Sequence, residues 1–169
     1  MSVAVAHAVH RERSLLDLLL AHQFDFFTGV PDSTLRSLLR EVEDRDVRYV
    51  PSVSENVAVG LAAGAFFGGA RPALFVQNTG LAMAVNPLTT LTAIYRIPLL
   101  LIVGWRGCDG NDSPEHRVIG AATLPLLEAL RIPFFIPNNE TVANDLAGAT
   151  ATMISDRCVV AVLIRPGVL

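Results

Sequence analysis

Glu55 is the residue of this sequence best placed to do chemistry. It follows Pro51-Ser52-Val53-Ser54, and residues 56–70 beyond it carry no charge at all. A carboxyl group held in dry surroundings makes strengthened hydrogen bonds and is suited to proton transfer. A plainer role is also open to it: in the first turn of a helix, with Ser52 or Ser54 as cap, an acid complements the helix dipole. A second constellation is Gly104-Trp105-Arg106-Gly107-Cys108-Asp109-Gly110-Asn111-Asp112-Ser113-Pro114-Glu115-His116, which joins a guanidinium fork to an imidazole. Arg106 can grip a phosphonate, sulfonate or carboxylate through two parallel hydrogen bonds, and a histidine such as His116 can exchange protons. An ion pair between Arg106 and a carboxylate of its own loop, and a structural histidine, are equally open. The third constellation, Gln77-Asn78-Thr79-Gly80-Leu81-Ala82-Met83-Ala84-Val85-Asn86-Pro87-Leu88, is a polar strand end running into a small-residue helix. Backbone can approach a ligand closely there, as a phosphate nest or as an ordinary strand-to-helix turn. Neither GxGxxG nor GxxxxGK[ST] spacing occurs, and the chain has no lysine to serve a P-loop.

These residues need a frame, and apolar periodicity supplies it. Strands are predicted at 24–27, 47–50, 73–76, 99–103, 133–136 and 159–164. Helices are predicted at 15–22, 34–42, 55–67, 81–91, 121–130 and 141–154, the first two capped by Ser14 and Ser33. The turn Thr28-Gly29-Val30-Pro31-Asp32 follows the first strand. Strands separated by helices require crossover connections, so the fold class is α/β: a doubly wound, mostly parallel six-stranded sheet with helices on both faces. Ligands of such sheets sit beyond the carboxyl ends of the strands, where all three constellations fall. Residues 14–169 read as one domain and residues 1–13 as a flexible extension without the apolar core of a signal peptide.

Composition narrows the function classes. Of 169 residues 51% are hydrophobic and 17% charged, which excludes a disordered tail and points to an oligomer. Thirteen arginines face 16 acidic residues, for a net charge of −3 with no basic block, so nucleic acid is not an expected partner. Cys108 and Cys158 form no CxxC or metal-ligand pattern; neither a disulfide framework nor a zinc site is expected, and a reducing cytoplasm is. Residues 72–95 are uncharged, but Gln77, Asn78, Asn86, Pro87 and several threonines interrupt the run. It therefore reads as interior or subunit interface rather than membrane span.

Four motifs in this order resemble the pyrimidine-binding domain of thiamine-diphosphate decarboxylases, especially the phosphonopyruvate and sulfopyruvate decarboxylase group. They are Thr28-Gly29-Val30-Pro31-Asp32-Ser33, Glu55-Asn56-Val57-Ala58-Val59-Gly60-Leu61-Ala62-Ala63-Gly64, the segment from Gln77 to Leu88, and Ile97-Pro98-Leu99-Leu100-Leu101-Ile102-Val103-Gly104-Trp105-Arg106-Gly107. The resemblance implies that Glu55 hydrogen-bonds the aminopyrimidine ring of thiamine diphosphate and promotes the tautomer that activates the cofactor. It further implies that Pro31, Asn78, Gly80, Leu81 and Ala82 line the pyrimidine. Asp32 and His116 would face a small anionic 2-oxo acid and relay protons or orient it, and Arg106 would hold its anionic tail. Gly104-Trp105-Arg106-Gly107 and Gln77-Asn78-Thr79-Gly80 look more like the phosphonopyruvate branch. The sequence departs from the pattern in Asp112-Ser113-Pro114-Glu115-His116, where Asp-Glu-Pro-Gln-His is expected, and in Ala82, which replaces a glycine.

Single-chain members of the group carry a second domain that binds the diphosphate through Mg2+ with a Gly-Asp-Gly motif and a later Asn-Asn. Asp109-Gly110 and Asn138-Asn139 imitate that pattern, but Cys108 stands where the first glycine belongs. No metal ligands are therefore assigned here, and Mg2+ falls mainly to a separate diphosphate-binding beta subunit in a heterotetramer or larger assembly. The expected reaction is decarboxylation of 3-phosphonopyruvate to phosphonoacetaldehyde. Sulfopyruvate decarboxylase is the near alternative, and a non-catalytic assembly or regulatory module is the alternative of another class. A generic nucleotide-binding protein would rest on fold alone.

Overall fold

A computed structural model describes residues 13–168. The expectations for the N-terminal extension and the missing signal peptide thus lie, Arg13 aside, outside the described residues. In chain order the elements are α1 (Leu15–Ala21), β1 (Phe26–Gly29), a 3-10 turn (Ser33–Leu35), α2 (Arg36–Asp44), β2 (Tyr49–Pro51), α3 (Glu55–Phe67), β3 (Pro72–Gln77) and α4 (Asn78–Pro87). A π-helical turn (Leu88–Thr92), α5 (Ala93–Tyr95), β4 (Leu99–Gly104), α6 (Pro114–Ala129), β5 (Phe134–Phe135), α7 (Val142–Asp156) and β6 (Val159–Ile164) complete the chain. All strand pairs are parallel and the order is β2-β1-β3-β4-β6-β5. The doubly wound α/β sheet is the one the alternation of strands and helices predicts.

Right-handed crossovers decide which helix covers which face. The steps β2 to β3, β3 to β4 and β4 to β5 run in one direction across the sheet and put α3, α4 and α6 on one face. The steps β1 to β2 and β5 to β6 run the other way and put α2 and α7 opposite, with α1 beside them. Strand alternation feeds two cores accordingly. Phe27, Phe75, Leu100, Ile102, Val160 and Val162 pack with α1, α2 and α7. Leu74, Val76, Leu101, Val103 and Leu163 pack with α3, α4 and α6.

Several boundaries differ from the sequence-based expectation, each for a local reason. The first strand begins at Phe26, not residue 24. Gln23 takes a left-handed φ of 63° after α1, and Asp25 accepts the Arg71 amide. Gly29 is a strand residue, not a turn residue; its φ is +149°, and a Cβ there would run into the backbone of Phe75. Ser14 caps α1 as expected, in a reciprocal box with Asp17 worth about 1 kcal/mol. Ser33 does not cap α2: Asp32 holds the N-cap position of the 3-10 turn, and its side chain makes no capping bond. Ser54 precedes α3 without a side-chain cap bond; its hydroxyl donates to Asn56 Oδ1 instead. α4 starts directly at Asn78, three residues before the expected boundary. Pro87 then removes an amide, and the hydroxyls of Thr89 and Thr90 donate to Val85 O (2.8 Å) and Asn86 O (2.8 Å) as the helix loosens into its π turn. α6 begins at Pro114 rather than 121, so His116 sits in a first helical turn and not in a loop.

Candidate active site

The sheet reverses its winding between β1 and β3, and the crevice beyond their carboxyl ends is the expected ligand position of such a fold. The Pro31-Asp32 turn leaves β1 on one side of it, and Gln77 passes straight into α4 on the other. Glu55 opens α3 and leans across to α4. A Cβ on Gly80 would land on the Glu55 carboxyl group, so residue 80 must be glycine for that carboxyl to lie where it does. Glu55 is partly buried, and its carboxylate makes no hydrogen bond or ion pair with any described residue. Gly80 and Leu81 are buried beneath it, the Leu81 side chain within the core; Ala82 and Pro31 are exposed. Leu81 can therefore meet a ligand only through its backbone.

Asp32 is only 6% exposed. Its Oδ1 accepts from Gln77 Nε2 at 2.6 Å, and Gln77 Oε1 in turn accepts from Thr79 Oγ1 at 2.6 Å. Its Oδ2 has no partner among the described residues and lies over Gly104 at the end of β4, where any Cβ would strike it. Thr34 Oγ1 is buried beside it, also unpaired, as is His116 Nδ1 at the start of α6. Buried polar atoms without partners are costly, and Asp32 Oδ2 and Thr34, which both lie against Gly104, are placed for a polar group to relieve them.

The β4–α6 loop is tied down by its own charges. Arg106 Nε and Nη2 donate to the two oxygens of Asp112 at 2.7 and 2.6 Å. The amides of Gly107 (2.9 Å) and Ser113 (2.8 Å) donate to the same carboxylate. Hydrogen bonding to Arg106, against the opposing effect of burial, holds Asp112 well below the usual carboxylate range, and Asp112 in turn pushes the guanidinium up, with Asp32 adding its field. Among the described residues, Arg106 Nη1 alone of the guanidinium nitrogens finds no hydrogen-bond partner. A recess of about 340 Å³ beside it is lined by Thr34, Arg106, Asp112 and Pro166 among others. Trp105 fastens the other end of the loop: its indole N–H donates to Gly120 O at 3.0 Å, and Arg165 stacks over the ring at 5.7 Å.

The Asn78 side chain is engaged within the fold. Its amide nitrogen donates to Arg106 O (2.9 Å) and Thr123 Oγ1 (3.0 Å), and its oxygen accepts the Arg106 amide (3.2 Å). It is fully buried, and it ties α4, the arginine loop and α6 together. Gln77, Gly104 and Asp112, which the sequence reading did not single out, complete the arrangement. The glycine ending β4 and the acid six residues after Arg106 were the available signals. Among the described residues no cluster of His, Cys, Asp or Glu is placed to hold a metal ion.

These features define a doubly wound domain that presents one unpartnered carboxyl, cradled on glycine, at its topological switch point. The chain belongs to the family described as thiamine pyrophosphate enzyme, N-terminal TPP binding domain, which it matches over residues 10–119. It is 34% identical over 123 residues to sulfopyruvate decarboxylase subunit alpha of Methanococcus maripaludis, covering 72% of this chain and 74% of that one. The alpha subunit of Methanothermobacter thermautotrophicus is 37% identical, covering 73% and 76%. Phosphonopyruvate decarboxylase of Streptomyces viridochromogenes is 41% identical over 102 residues, covering 59% of this chain and 26% of that enzyme. In fold, the chain is similar to a putative thiamin diphosphate-dependent enzyme from Mycobacterium smegmatis, with a TM-score of 0.67 at 21% identity, covering 89% of this chain and 29% of that one.

Proposed function

We propose that this chain is the pyrimidine-binding alpha subunit of a thiamine-diphosphate-dependent decarboxylase acting on 3-phosphonopyruvate. The observation that carries the reading is the Glu55 carboxyl, unpartnered and seated on Gly80. That donor set fits an aminopyrimidine: a carboxyl to hydrogen-bond a ring nitrogen, and the backbone at Gly80, Leu81 and Ala82, with Pro31, to lie against the ring. When bound, thiamine diphosphate supplies a nucleophilic thiazole carbon and an electron sink for the pair left by departing carbon dioxide. Glu55 holds or returns a proton at the pyrimidine. Asp32 Oδ2 and His116 Nδ1 lack partners and are assigned to orient the oxo acid and move its protons. Arg106 Nη1 is assigned to the anionic tail, its plane fixed by Asp112. Asn78 is assigned here to hold the arginine loop in place.

The higher identity to the phosphonopyruvate enzyme supports the phosphonate. Sulfopyruvate is the second reading, favoured by matches that span about three-quarters of separate alpha subunits. Those subunit names also support a partner subunit; we assign to it diphosphate binding and most of the Mg2+ ligands, in a heterotetramer or larger assembly. Exposed Val57, Phe67, Met83, Ile94 and Tyr95 on α3, α4 and α5 suit such an interface. No helix among the described residues is long and apolar enough to cross a membrane, and both cysteines are free, in keeping with a cytoplasmic enzyme.

The test is Glu55→Gln in the complex assembled with its beta subunit. Turnover should fall by about 10²-fold or more, the range for loss of positioned acid–base chemistry, while assembly persists. Unchanged turnover would point to an assembly module. Kinetics with both oxo acids decides the substrate, and a tenfold preference for the sulfonate overturns the first reading.

A further inference from the structure

We infer that Gln77 and Gly104 are positioning residues that lock the orientation of the Asp32 carboxylate. The inference deepens the proposed function and rests on its reading of Asp32 as a substrate-facing group. A buried carboxylate can turn about its Cβ–Cγ bond, and an unheld one would present either oxygen. Here both sides are fixed. Gln77 Nε2 donates to Oδ1 at 2.6 Å, and Thr79 Oγ1 donates to Gln77 Oε1 at 2.6 Å, so the amide cannot flip without losing its bond to Asp32, although the Thr79 hydroxyl could then accept instead of donate. Flipped, its oxygen would face a carboxylate oxygen and its nitrogen would face a hydroxyl. On the other side the missing side chain of Gly104 leaves the space that Oδ2 occupies, next to Thr34. The chain Thr79–Gln77–Asp32 therefore runs from the first turn of α4 across the switch point to the end of β1. Oδ2 is left as the buried atom with no partner.

A glutamine that only filled space would act independently of Asp32. One that acts through Asp32 would lose its effect once that carboxylate is gone. The assembled complex, saturated with thiamine diphosphate and Mg2+, is assayed as wild type, Gln77→Leu, Asp32→Asn and the double variant. Removing the donor that Gln77 supplies to a buried carboxylate oxygen should lower kcat by about tenfold or more while the affinity for thiamine diphosphate, measured by calorimetry, stays within about twofold. The double variant should be no slower than Asp32→Asn alone, a non-additivity that residues acting separately do not give. Gln77→Glu, which keeps the shape but loses the donor, should fail to restore turnover. Should Gln77→Leu not assemble, Thr79→Val carries the same cycle with a loss of about threefold, because it frees the glutamine to rotate. Additive losses, or an unchanged kcat in Gln77→Leu, overturn the inference while leaving the proposed function standing. An unchanged kcat in Asp32→Asn instead overturns the reading of Asp32 and the inference with it.

Discussion

Glu55 and Asp32 each lie against a glycine that ends or follows a strand, Gly80 for the first and Gly104 for the second. The two glycines do for these acids what a mould does, and their loss should separate function from stability. Gly80→Ala places a methyl group where the Glu55 carboxyl rests, and the flexible end of the glutamate is what gives way. Because alanine also favours the helix by about 1 kcal/mol, the melting temperature should hold or rise slightly. Turnover and cofactor affinity should fall by about tenfold or more, since the carboxyl is displaced from its hydrogen-bonding position. A variant that melts earlier and retains full affinity would contradict the cradle. Glu55 was legible in the sequence because fifteen uncharged residues follow it. The pair Gln77–Asp32 was not, because it depends on β1 lying beside β3, whereas the ion pair of Arg106 with a carboxylate of its own loop was legible without saying which acid it takes. Asn78 shows the same limit: its residue type suits a ligand, but partners in the β4–α6 loop and on α6 engage its amide.

Among the elements, α3 and β6 fell where apolar periodicity put them, and α6 did not. Ser113-Pro114-Glu115 carries the marks of a helix start, a cap residue, proline at the first helical position and an acid in the first turn. The glycine-rich run before it made the whole stretch read as loop. The consequence is that the Arg106 loop closes against the helix: Gly107, with φ +70°, lies on the carbonyl of His116, where any Cβ would collide. Asp112 is the anchor of that loop. Its pKa is depressed in the folded chain, so its contribution is fully present above its unfolded value of about 3.9 and fades as pH falls below it. The gap in melting temperature between wild type and Asp112→Asn should therefore be constant from about pH 8 to about pH 5 and shrink below about pH 4. A gap that widens in acid would show that another group sets the loop.

As a whole molecule the chain closes its two cores well but leaves Phe67, Met83, Ile94 and Tyr95 each more than 60% exposed on the face of α3, α4 and α5. Exposed apolar patches of this kind mark interaction surfaces. The lone chain should bind a hydrophobic dye such as ANS and release it when the beta subunit is added; release without recovery of decarboxylase activity would separate assembly from catalysis. The run at 72–95 was read from sequence as interior or interface; β3 is buried, and α4 with α5 is open on one side. That division was beyond the sequence, because an uncharged run looks alike whether a helix covers it or another subunit does.

The two halves of the crevice are built with unequal freedom. β3 runs into α4 without an intervening residue, so the floor of the crevice is welded to the central sheet. The wall carrying Arg106 is a long insert hung on one tryptophan, one asparagine and one ion pair. A lineage could rewrite that wall, trading one acidic tail for another, while its grip on the vitamin stayed untouched.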